Sequence, residues 1–424
     1  MFASPNMTFL NTTTQSYKES PFANIVLPVF KFLHWINMFP GSFQLDSEGS
    51  IRFVKASVFR KVLSLSLQAI TTCHLVGTCA LYQLSMSSFM KLMFQIVTFA
   101  YISYNLVWYL TLNFKGEKLE NIFRMIRRLE IEFVQIGCVL PKPFTKTVMS
   151  WCLVVTYLII ALSYTLIMRL NIALLLNGAP AFVEPVANML IIELNSVFHL
   201  GITYNSSVST FENNLLLSIP MIIISIYYDL TWTFGFLMNF LWGATFILIF
   251  KSFFDVIGKI SSRNTLKDIR RYNRITFVID AYNEVFTLNM MCAVFAGSLH
   301  FSVYLSTMFL SQDTGLRAVM TGASFGIFWL QIFCAAEVCN CAQKMATILK
   351  NRYQNESTWK GKHATCTETL QGIVIVFNEM LAGNVGFQGW GFFTVTYSFI
   401  GSVLSLIATY AIVTMQMYGS PVQA

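Results

Sequence analysis

The segment Phe392–Met417, FFTVTYSFIGSVLSLIATYAIVTMQM, is the most informative stretch of this sequence. It is long enough for a helix that crosses a bilayer, for which about 20 residues suffice. An unsatisfied polar group in hydrocarbon costs free energy, so polar side chains on such a helix are expected to avoid lipid. They face either a closely packed neighbouring helix or a wet pore. Here they recur at helical spacing and form one stripe: Thr394, Ser398, Ser402, Ser405, Thr409 and Gln416.

The composition of the whole chain is that of a membrane protein. It is 55% hydrophobic and 11% charged, with a mean hydropathy of +0.59, which excludes an ordinary soluble domain. We therefore predict an all-α, polytopic membrane protein with seven transmembrane helices. The spans are Val62–Leu84, Phe89–Phe114, Val148–Leu175, Trp232–Phe250 within the apolar run Leu215–Phe250, Ile275–Leu310, Val319–Met345 and the terminal segment.

The distribution of basic residues predicts the orientation of the chain. Of the 28 Lys and Arg residues, all but Lys91, Arg169 and Arg317 fall on one side of the seven spans. The positive-inside rule then puts the N-terminus in the cytoplasm and the C-terminus outside, opposite to a G-protein-coupled receptor. The net charge of +8 is thus a topology signal, and no nucleic-acid partner is predicted. On this topology the sequon at Asn205 is extracellular and open to glycosylation.

The segments between the spans suggest three regions. Residues 1–61 form a cytoplasmic arm whose amphipathic helix, within 24–39, is predicted to lie on the membrane surface. Residues 62–382 hold helices one to six with helical cytoplasmic linkers, and 383–424 hold the seventh helix and a short outer tail. The second-to-third linker carries charge pairs at helical spacing, and a short amphipathic helix precedes the last span: Glu120–Arg124, Arg128–Glu132 and Thr367–Ala382.

No pattern of reactive residues indicates an enzyme. The five histidines do not cluster, and no Ser/His/Asp, Cys/His or HExxH arrangement occurs, so we predict no catalytic residue, metal site or cofactor. The nine cysteines are predicted to be free thiols. A channel and a small-solute transporter both remain compatible with a pocket beside a polar helix. Transporters commonly carry paired half-repeats with broken helices at the midplane, and no such pair is evident in the sequence.

A ligand pocket is predicted among the outer halves of helices three to six. Pockets for small polar ligands combine aromatic walls with a few hydrogen-bonding groups. The alternative for each residue is a packing role or a place in the aromatic belt at the membrane interface. An ionisable group in an apolar run is costly, which makes Asp229 the sharpest candidate. The candidates are Tyr164, Tyr227, Asp229, Trp232, His300, Tyr304, Trp329 and Gln331.

The end of the terminal segment resembles a known signature. Thr409-Tyr410, five mostly apolar residues and Gln416 are similar to the Thr-Tyr, five hydrophobics, Gln-Phe motif of insect gustatory receptors. Met417 stands where the family has its final Phe, which makes that constriction softer and more flexible. The number of spans and the cytoplasmic N-terminus also resemble this family. A weaker similarity to its sugar-receptor branch lies in residues 51–59, IRFVKASVF.

The resemblance implies a function and an assembly. It implies a plasma-membrane taste receptor that acts as a ligand-gated, non-selective cation channel, formed by four copies or by this chain with related subunits. A small polar tastant such as a sugar would open it, or a bitter compound in a bitter-type receptor. The implied partners are that ligand, membrane lipids and permeant cations. The residues expected to line or gate the pore are Ser402, Ser405, Thr409, Tyr410, Ile412, Val413, Gln416 and Met417.

Overall fold

The structure is a computed structural model, and it describes residues 20–47, 49–82, 88–136, 152, 154–156, 158–159, 227, 230–231, 233–259, 265–310, 316–359, 374 and 385–419. This part of the chain is mostly helical, as predicted. Its helices are α1 (Pro21–Trp35), α2 (Val58–Tyr82), α3 (Ser88–Phe114), α4 (Gly116–Gln135), α5 (Phe234–Thr245), α6 (Ser252–Lys259), α7 (Thr265–Leu310), α8 (Leu316–Trp359) and α9 (Tyr397–Gly419). Two antiparallel hairpins accompany them, β1 (Ser42–Leu45) with β2 (Ile51–Val54) and β3 (Gln388–Gly389) with β4 (Phe393–Thr394).

Helix α7 occupies the middle of the described structure. It packs against α3, α4, α8, α9 and β3. Its 46 residues extend about 69 Å, more than twice a hydrocarbon core of about 30 Å. The predicted linker before the fifth span is therefore part of the same helix, because no proline interrupts residues 265–310. Helix α8 likewise has 44 residues and continues past the end predicted for the sixth span at Met345.

From Phe234 onward, the fourth span consists of three helical segments that follow one another without a break. α5 passes into a π-helical segment, Phe246–Lys251, which passes into α6. A π-segment inserts an extra residue per turn, and such segments are frequent at functional sites. Most of the run from 215 to 233 lies outside the described residues, as do the third span beyond residue 159 and most of the predicted helix 367–382.

The N-terminal helix corrects one prediction. The apolar face of α1 packs on protein and not on a membrane surface, since Phe22, Val26 and Phe30 are almost completely buried. Phe30 and Phe43 make edge contacts with each other at 4.8 Å between ring centroids. The helix start is held by Glu130 of α4, which accepts hydrogen bonds from the Ser20 hydroxyl (2.6 Å) and the Phe22 amide (2.7 Å).

Of the two charge pairs predicted within the second-to-third linker, one forms and the other is replaced. Glu120 pairs with Arg124 as predicted. Glu132 pairs with Arg271 and Arg274 of α7 and not with Arg128, because α4 lies alongside α7 and brings these side chains within reach. Tertiary packing thus replaces a local pair with a long-range one.

Three helices among the described residues are long and apolar enough to cross a membrane. They are Phe234–Gly258, Lys267–Val303 and Tyr397–Gln416. The first two have 56% of their apolar stretch buried within the chain, whereas Tyr397–Gln416 has 28%. The last helix is therefore the least covered of the three, although it is the most apolar.

Candidate functional site: the terminal helix and its supports

The terminal helix α9 begins after a short hairpin. Thr394 belongs to strand β4 and not to the helix, so the predicted stripe starts at Ser398. Thr396 caps the helix, since its hydroxyl accepts the Phe399 amide at 3.1 Å. In the turn of the hairpin, Trp390 and Gly391 both have positive φ, 45° and 75°. Gly391 tolerates that conformation, whereas a tryptophan rarely adopts it.

One face of α9 is packed inside the chain. Ile400, Val403, Ile407, Ala411 and Thr414 are all buried and follow one another at helical spacing. This face contacts α7. The hydroxyls of Ser302 and Ser306 on α7 lie 3.4 Å and 3.2 Å from the backbone oxygens of Ile407 and Ala411. Small hydroxyl residues on α7 thus allow a close contact between two long helices.

The polar stripe lies on the opposite face. At about 100° per residue, the mean direction of the stripe is about 180° from that of the packed face. Within one chain the stripe therefore does not lie at the contact with α7. Every stripe position in the helix is exposed, with Ile412 filling the step between Thr409 and Gln416: Ser398, Ser402, Ser405, Thr409, Ile412 and Gln416.

The side chains on both sides of the stripe are also exposed to solvent in a single chain. Leu406, Tyr410 and Val413 are 47%, 52% and 44% exposed on one side, and Leu404 is 36% exposed on the other. Tyr410 and Val413, predicted to line or gate the pore, therefore lie on a flank beside the stripe. The side chain of Met417 lies outside the described residues. A single copy of the chain leaves most of this helix uncovered.

Two hydroxyls of the stripe, those of Ser402 and Thr409, donate their hydrogens within the helix. Ser402 donates to the Ser398 carbonyl at 3.2 Å, and Thr409 donates to the Ser405 carbonyl at 2.9 Å. A hydroxyl has one hydrogen and two acceptor lone pairs. Because the hydrogen is used within the helix, the exposed side of each group is an acceptor, which suits water or a cation.

The base of α9 is tied to two other helices through Glu337 of α8. The Tyr397 hydroxyl donates to one carboxylate oxygen at 2.7 Å. Lys251, the last residue of the π-helical segment, donates to the other at 2.8 Å. The sequence did not predict this junction. Its periodicity does not reveal the π-helical segment that ends at Lys251.

The hairpin before α9 is anchored on α7. The side-chain amide of Asn283 donates to the Gly386 carbonyl at 2.9 Å and accepts the Gln388 amide at 3.0 Å. Phe387 is fully buried, stacks on Phe246 at 3.8 Å and meets the edge of Tyr282 at 5.0 Å. Phe387 thus connects α7 and the π-helical segment with the hairpin that precedes the terminal helix.

The predicted ligand residues are brought together only in part. Tyr164, Asp229 and Trp232 lie outside the described residues, as does the side chain of Tyr304. Tyr227 is half-buried. Gln331 is buried beside the Tyr282 hydroxyl, away from the other candidates.

His300 and Trp329 share one aromatic row. His300 meets the edge of Phe301 at 5.2 Å, Phe301 meets Phe325 at 4.7 Å, and Phe325 lies 5.8 Å from Trp329. His300 also lies 5.7 Å from Tyr101 of α3. The structure therefore links these two predicted residues through rings that the sequence reading did not select.

A small cavity adjoins that row. His300 lines it together with Tyr101, Tyr104 and Phe236. Tyr101 and Tyr104 were missed, although two tyrosines at helical spacing in a span are a usable signal. The Tyr104 hydroxyl lies 2.7 Å from Asn239 Oδ1 and 2.9 Å from the Gly235 carbonyl. The free space is about 10 Å³, room for about one water.

Comparisons with known proteins address the fold. No protein-family model and no curated protein matches the sequence. The solved structure of the insect olfactory receptor OR5 from Machilis hrabei in complex with eugenol is similar at 17% identity, with a TM-score of 0.52 over 93% of this chain and 100% of that chain. A second structure of OR5 gives 16% identity and a TM-score of 0.44 over the same shares. The chain therefore has the fold of an insect olfactory receptor.

Proposed function

We propose that four copies of this chain form a ligand-gated, non-selective cation channel, a chemosensory receptor of the insect type. The observation that carries the proposal is the bare polar stripe of α9, opposite the face that packs on α7. Small hydroxyl residues can also serve a close contact between helices of one chain, but in this chain the opposite face of α9 makes that contact. The shared fold with an insect olfactory receptor and the Thr409-Tyr410…Gln416 motif support the same function.

In this proposal the four α9 helices surround a central aqueous axis. Ser402, Ser405, Thr409 and Gln416 replace part of the water shell of a passing cation. The stripe has no acidic residue, so it discriminates little among cations. Ile412, Val413 and Met417 form an apolar constriction near the outer end. The flanking leucines and Tyr410 meet the neighbouring subunits, which covers apolar surface that one copy leaves exposed.

The ligand is proposed to bind in the aromatic region beside His300. The other contributing residues are Trp329, Tyr227, Tyr164, Asp229, Trp232 and Tyr304. Small-molecule pockets measure about 300–1,000 Å³, far more than the space of about 10 Å³ in the cavity beside His300. A ligand must therefore favour an arrangement in which the rings move apart, and it shifts the population toward that state. A small polar tastant such as a sugar suits aromatic walls with a few hydrogen-bonding groups. A panel of sugars and bitter compounds, applied to cells expressing this chain alone, tests the ligand class.

The orientation is proposed from the charges: N-terminus in the cytoplasm, C-terminus outside, in the plasma membrane. Asn205 is then glycosylated, whereas the sequons at Asn6, Asn11 and Asn355 are silent. Asn205→Gln should abolish a mobility shift on peptide N-glycosidase treatment. A shift that persists in this variant would place another sequon outside and overturn the topology.

Cysteine accessibility tests the pore. Ser402→Cys and Thr409→Cys should react with a membrane-impermeant thiol reagent and change the current measured in planar bilayers with purified protein. Val403→Cys and Ile407→Cys on the packed face are the matched controls and should not react. If the stripe cysteines remain unreactive at rest and with an agonist, or if both faces react equally, α9 does not line a pore. Slow gradient-coupled uptake without unitary currents would favour a transporter.

A further inference from the structure

A large groove lies between α4 and α7, on the side predicted to be cytoplasmic and away from α9 and the aromatic cavity. Its volume is about 870 Å³, within the range of small-molecule sites. The groove combines polar and apolar walls. The lining residues that matter here are Arg128, Glu132, Gln135, Asn273, Arg274 and Phe277.

The groove carries an excess of positive charge. Glu132 pairs with Arg274 and lies 3.5 Å from Arg271, which also pairs with Asp268 at 2.8 Å, so the charge of Glu132 is balanced and that of Arg128 remains. Arg128 is exposed and makes no ion pair with any residue that the structure describes. A guanidinium presents a planar set of donors that suits phosphate. One guanidinium without an ion pair among the described residues, that of Arg128, and a second that shares Glu132, that of Arg274, therefore line the groove.

Two further groups call for a ligand that is more than a bare anion. Phe277 is 63% exposed on α7, and a bare phenyl ring on the cytoplasmic side is an apolar surface without a cover. The side-chain oxygen of Asn273 is buried and has no hydrogen-bond partner among the described residues. A buried acceptor without a donor costs free energy. The groove therefore offers an apolar ring face and an acceptor for a hydroxyl beside its cationic groups.

The depth of the groove restricts the source of the ligand. Lys115, the first charged residue after the apolar run of α3, donates to the Val285 carbonyl at 2.9 Å and marks the inner end of that span, so we take the membrane-spanning part of α7 to begin near Val285, ten residues after the start predicted at Ile275. Val278 and Arg274 precede Val285 by seven and eleven residues on α7, which puts them about 10 Å and 16 Å deeper. The headgroup layer is only about 5–8 Å thick per leaflet. An ordinary headgroup therefore ends above the groove, whereas a larger one projects into it.

We propose that this groove binds a phosphorylated inositol headgroup. The phosphates pair with Arg128 and Arg274, a ring hydroxyl donates to Asn273, and the C–H face of the inositol ring packs on Phe277. The ligand is either a phosphoinositide of the inner leaflet or a soluble inositol phosphate. The site is separate from the proposed pore, and its test does not depend on channel activity.

The test uses the purified full-length chain in phosphatidylcholine nanodiscs with and without phosphatidylinositol bisphosphate. Retention of the lipid is measured by native mass spectrometry. The wild type should retain phosphatidylinositol bisphosphate in preference to phosphatidylcholine. Arg128→Gln should weaken this retention about fivefold, the effect of one basic side chain near an anionic lipid. It breaks no ion pair among the described residues, so folding should be preserved.

Arg124→Gln is the matched control, because Arg124 lies one turn earlier on α4 and does not line the groove. It should leave retention unchanged. Phe277→Ser should also weaken retention, with Phe295→Ser, an exposed phenylalanine higher on the same helix, as its control. Inositol hexakisphosphate that displaces the lipid and raises the melting temperature in detergent would identify a soluble ligand as sufficient. Equal losses in Arg124→Gln and Arg128→Gln, or no lipid preference in the wild type, would overturn the proposal.

Discussion

Helices α7 and α9 are both apolar enough to cross a membrane, yet they have opposite relations to the rest of the chain. In α7, 56% of the apolar stretch is buried within the chain, compared with 28% in α9. α7 is surrounded by other helices, whereas α9 rests on it with one face only. The comparison shows that hydropathy identifies membrane helices but not their place. α7 is covered by other elements of the same chain, whereas most of the apolar stretch of α9 stays exposed.

The two helices also differ in the surroundings of their tyrosine side chains. Tyr282 of α7 is enclosed by aromatic rings, at 4.6 Å from Phe286 and 5.0 Å from Trp242. Tyr410 of α9 is 52% exposed and meets no ring of the described residues. Substitutions in α7 should therefore act on folding, and those in α9 on conduction and assembly.

The largest expected effect is on folding. Tyr282→Ala removes a ring at the centre of the aromatic cluster and should cost about 3–5 kcal/mol, the usual range for a buried aromatic residue. Phe295→Ala is the control, because Phe295 is 59% exposed on the same helix and should change stability by less than about 0.5 kcal/mol. Thermal unfolding followed by size-exclusion chromatography measures both. Similar losses in the two variants would contradict the central position of α7.

The next effect is on ion selectivity. Ser405→Asp introduces a carboxylate in each copy of the stripe. One charge about 8 Å from a passing ion, at an effective dielectric of about 20, stabilises a cation by about 2 kcal/mol, about thirtyfold in its local population, and repels an anion by as much, so a stronger preference for cations over anions is expected. Reversal potentials in asymmetric salt measure this preference. Ser402→Ala, on the same face and without charge, should leave it unchanged, and an unaltered preference in Ser405→Asp would remove Ser405 from the pore.

A smaller effect concerns the junction between the helices. Tyr397→Phe removes the hydrogen bond to the Glu337 carboxylate. Bonds to charged groups contribute about 1.5–3 kcal/mol; Tyr397 is 48% exposed, so solvent screening reduces the expected loss to about 1 kcal/mol. Tyr410→Phe serves as the control, with no expected change. A lower melting temperature in Tyr397→Phe alone would confirm the tie between α8 and α9.

The smallest effects come from two glycines. A Cβ at Gly243 of α5 would lie 3.3 Å from the Gln331 backbone, whereas a Cβ at Gly401 of α9 meets nothing within 4 Å. Gly243→Ala should destabilise by about 1 kcal/mol through crowding. Gly401→Ala should stabilise the single chain by up to about 1 kcal/mol through helix propensity. If Gly401→Ala instead abolishes assembly, a neighbouring subunit approaches α9 at that position.

Local features of the fold were largely predictable. The second span was predicted at Phe89–Phe114 and is described as Ser88–Phe114, because an apolar run with clear ends determines a helix in lipid. The stripe of α9 was also visible, since helical periodicity depends on spacing alone. The linker before the fifth span was predicted to be helical, but its continuity with that span as one helix was missed, because the charged residues were taken as the end of the span although nothing in them breaks a helix.

The site itself was only half predictable. His300 and Trp329 were selected by residue type and depth, but Tyr101, Tyr104 and Phe236 lie on other helices, and only packing brings them beside His300. The partner of Glu132 was misassigned for the same reason. Salt bridges between helices depend on the relative rotation of the helices, which no local sequence pattern gives.

The sequence by itself determined that this chain lies in a membrane, that it is helical and that its last helix is polar along one edge. These are properties of composition and of residue spacing, and they follow from the cost of burying polar groups in lipid. Only the tertiary structure decided that α7 occupies the centre and that the polar edge of α9 is turned away from the subunit. Both depend on contacts between residues more than a hundred positions apart, such as Ser302 with Ile407, which no local pattern encodes.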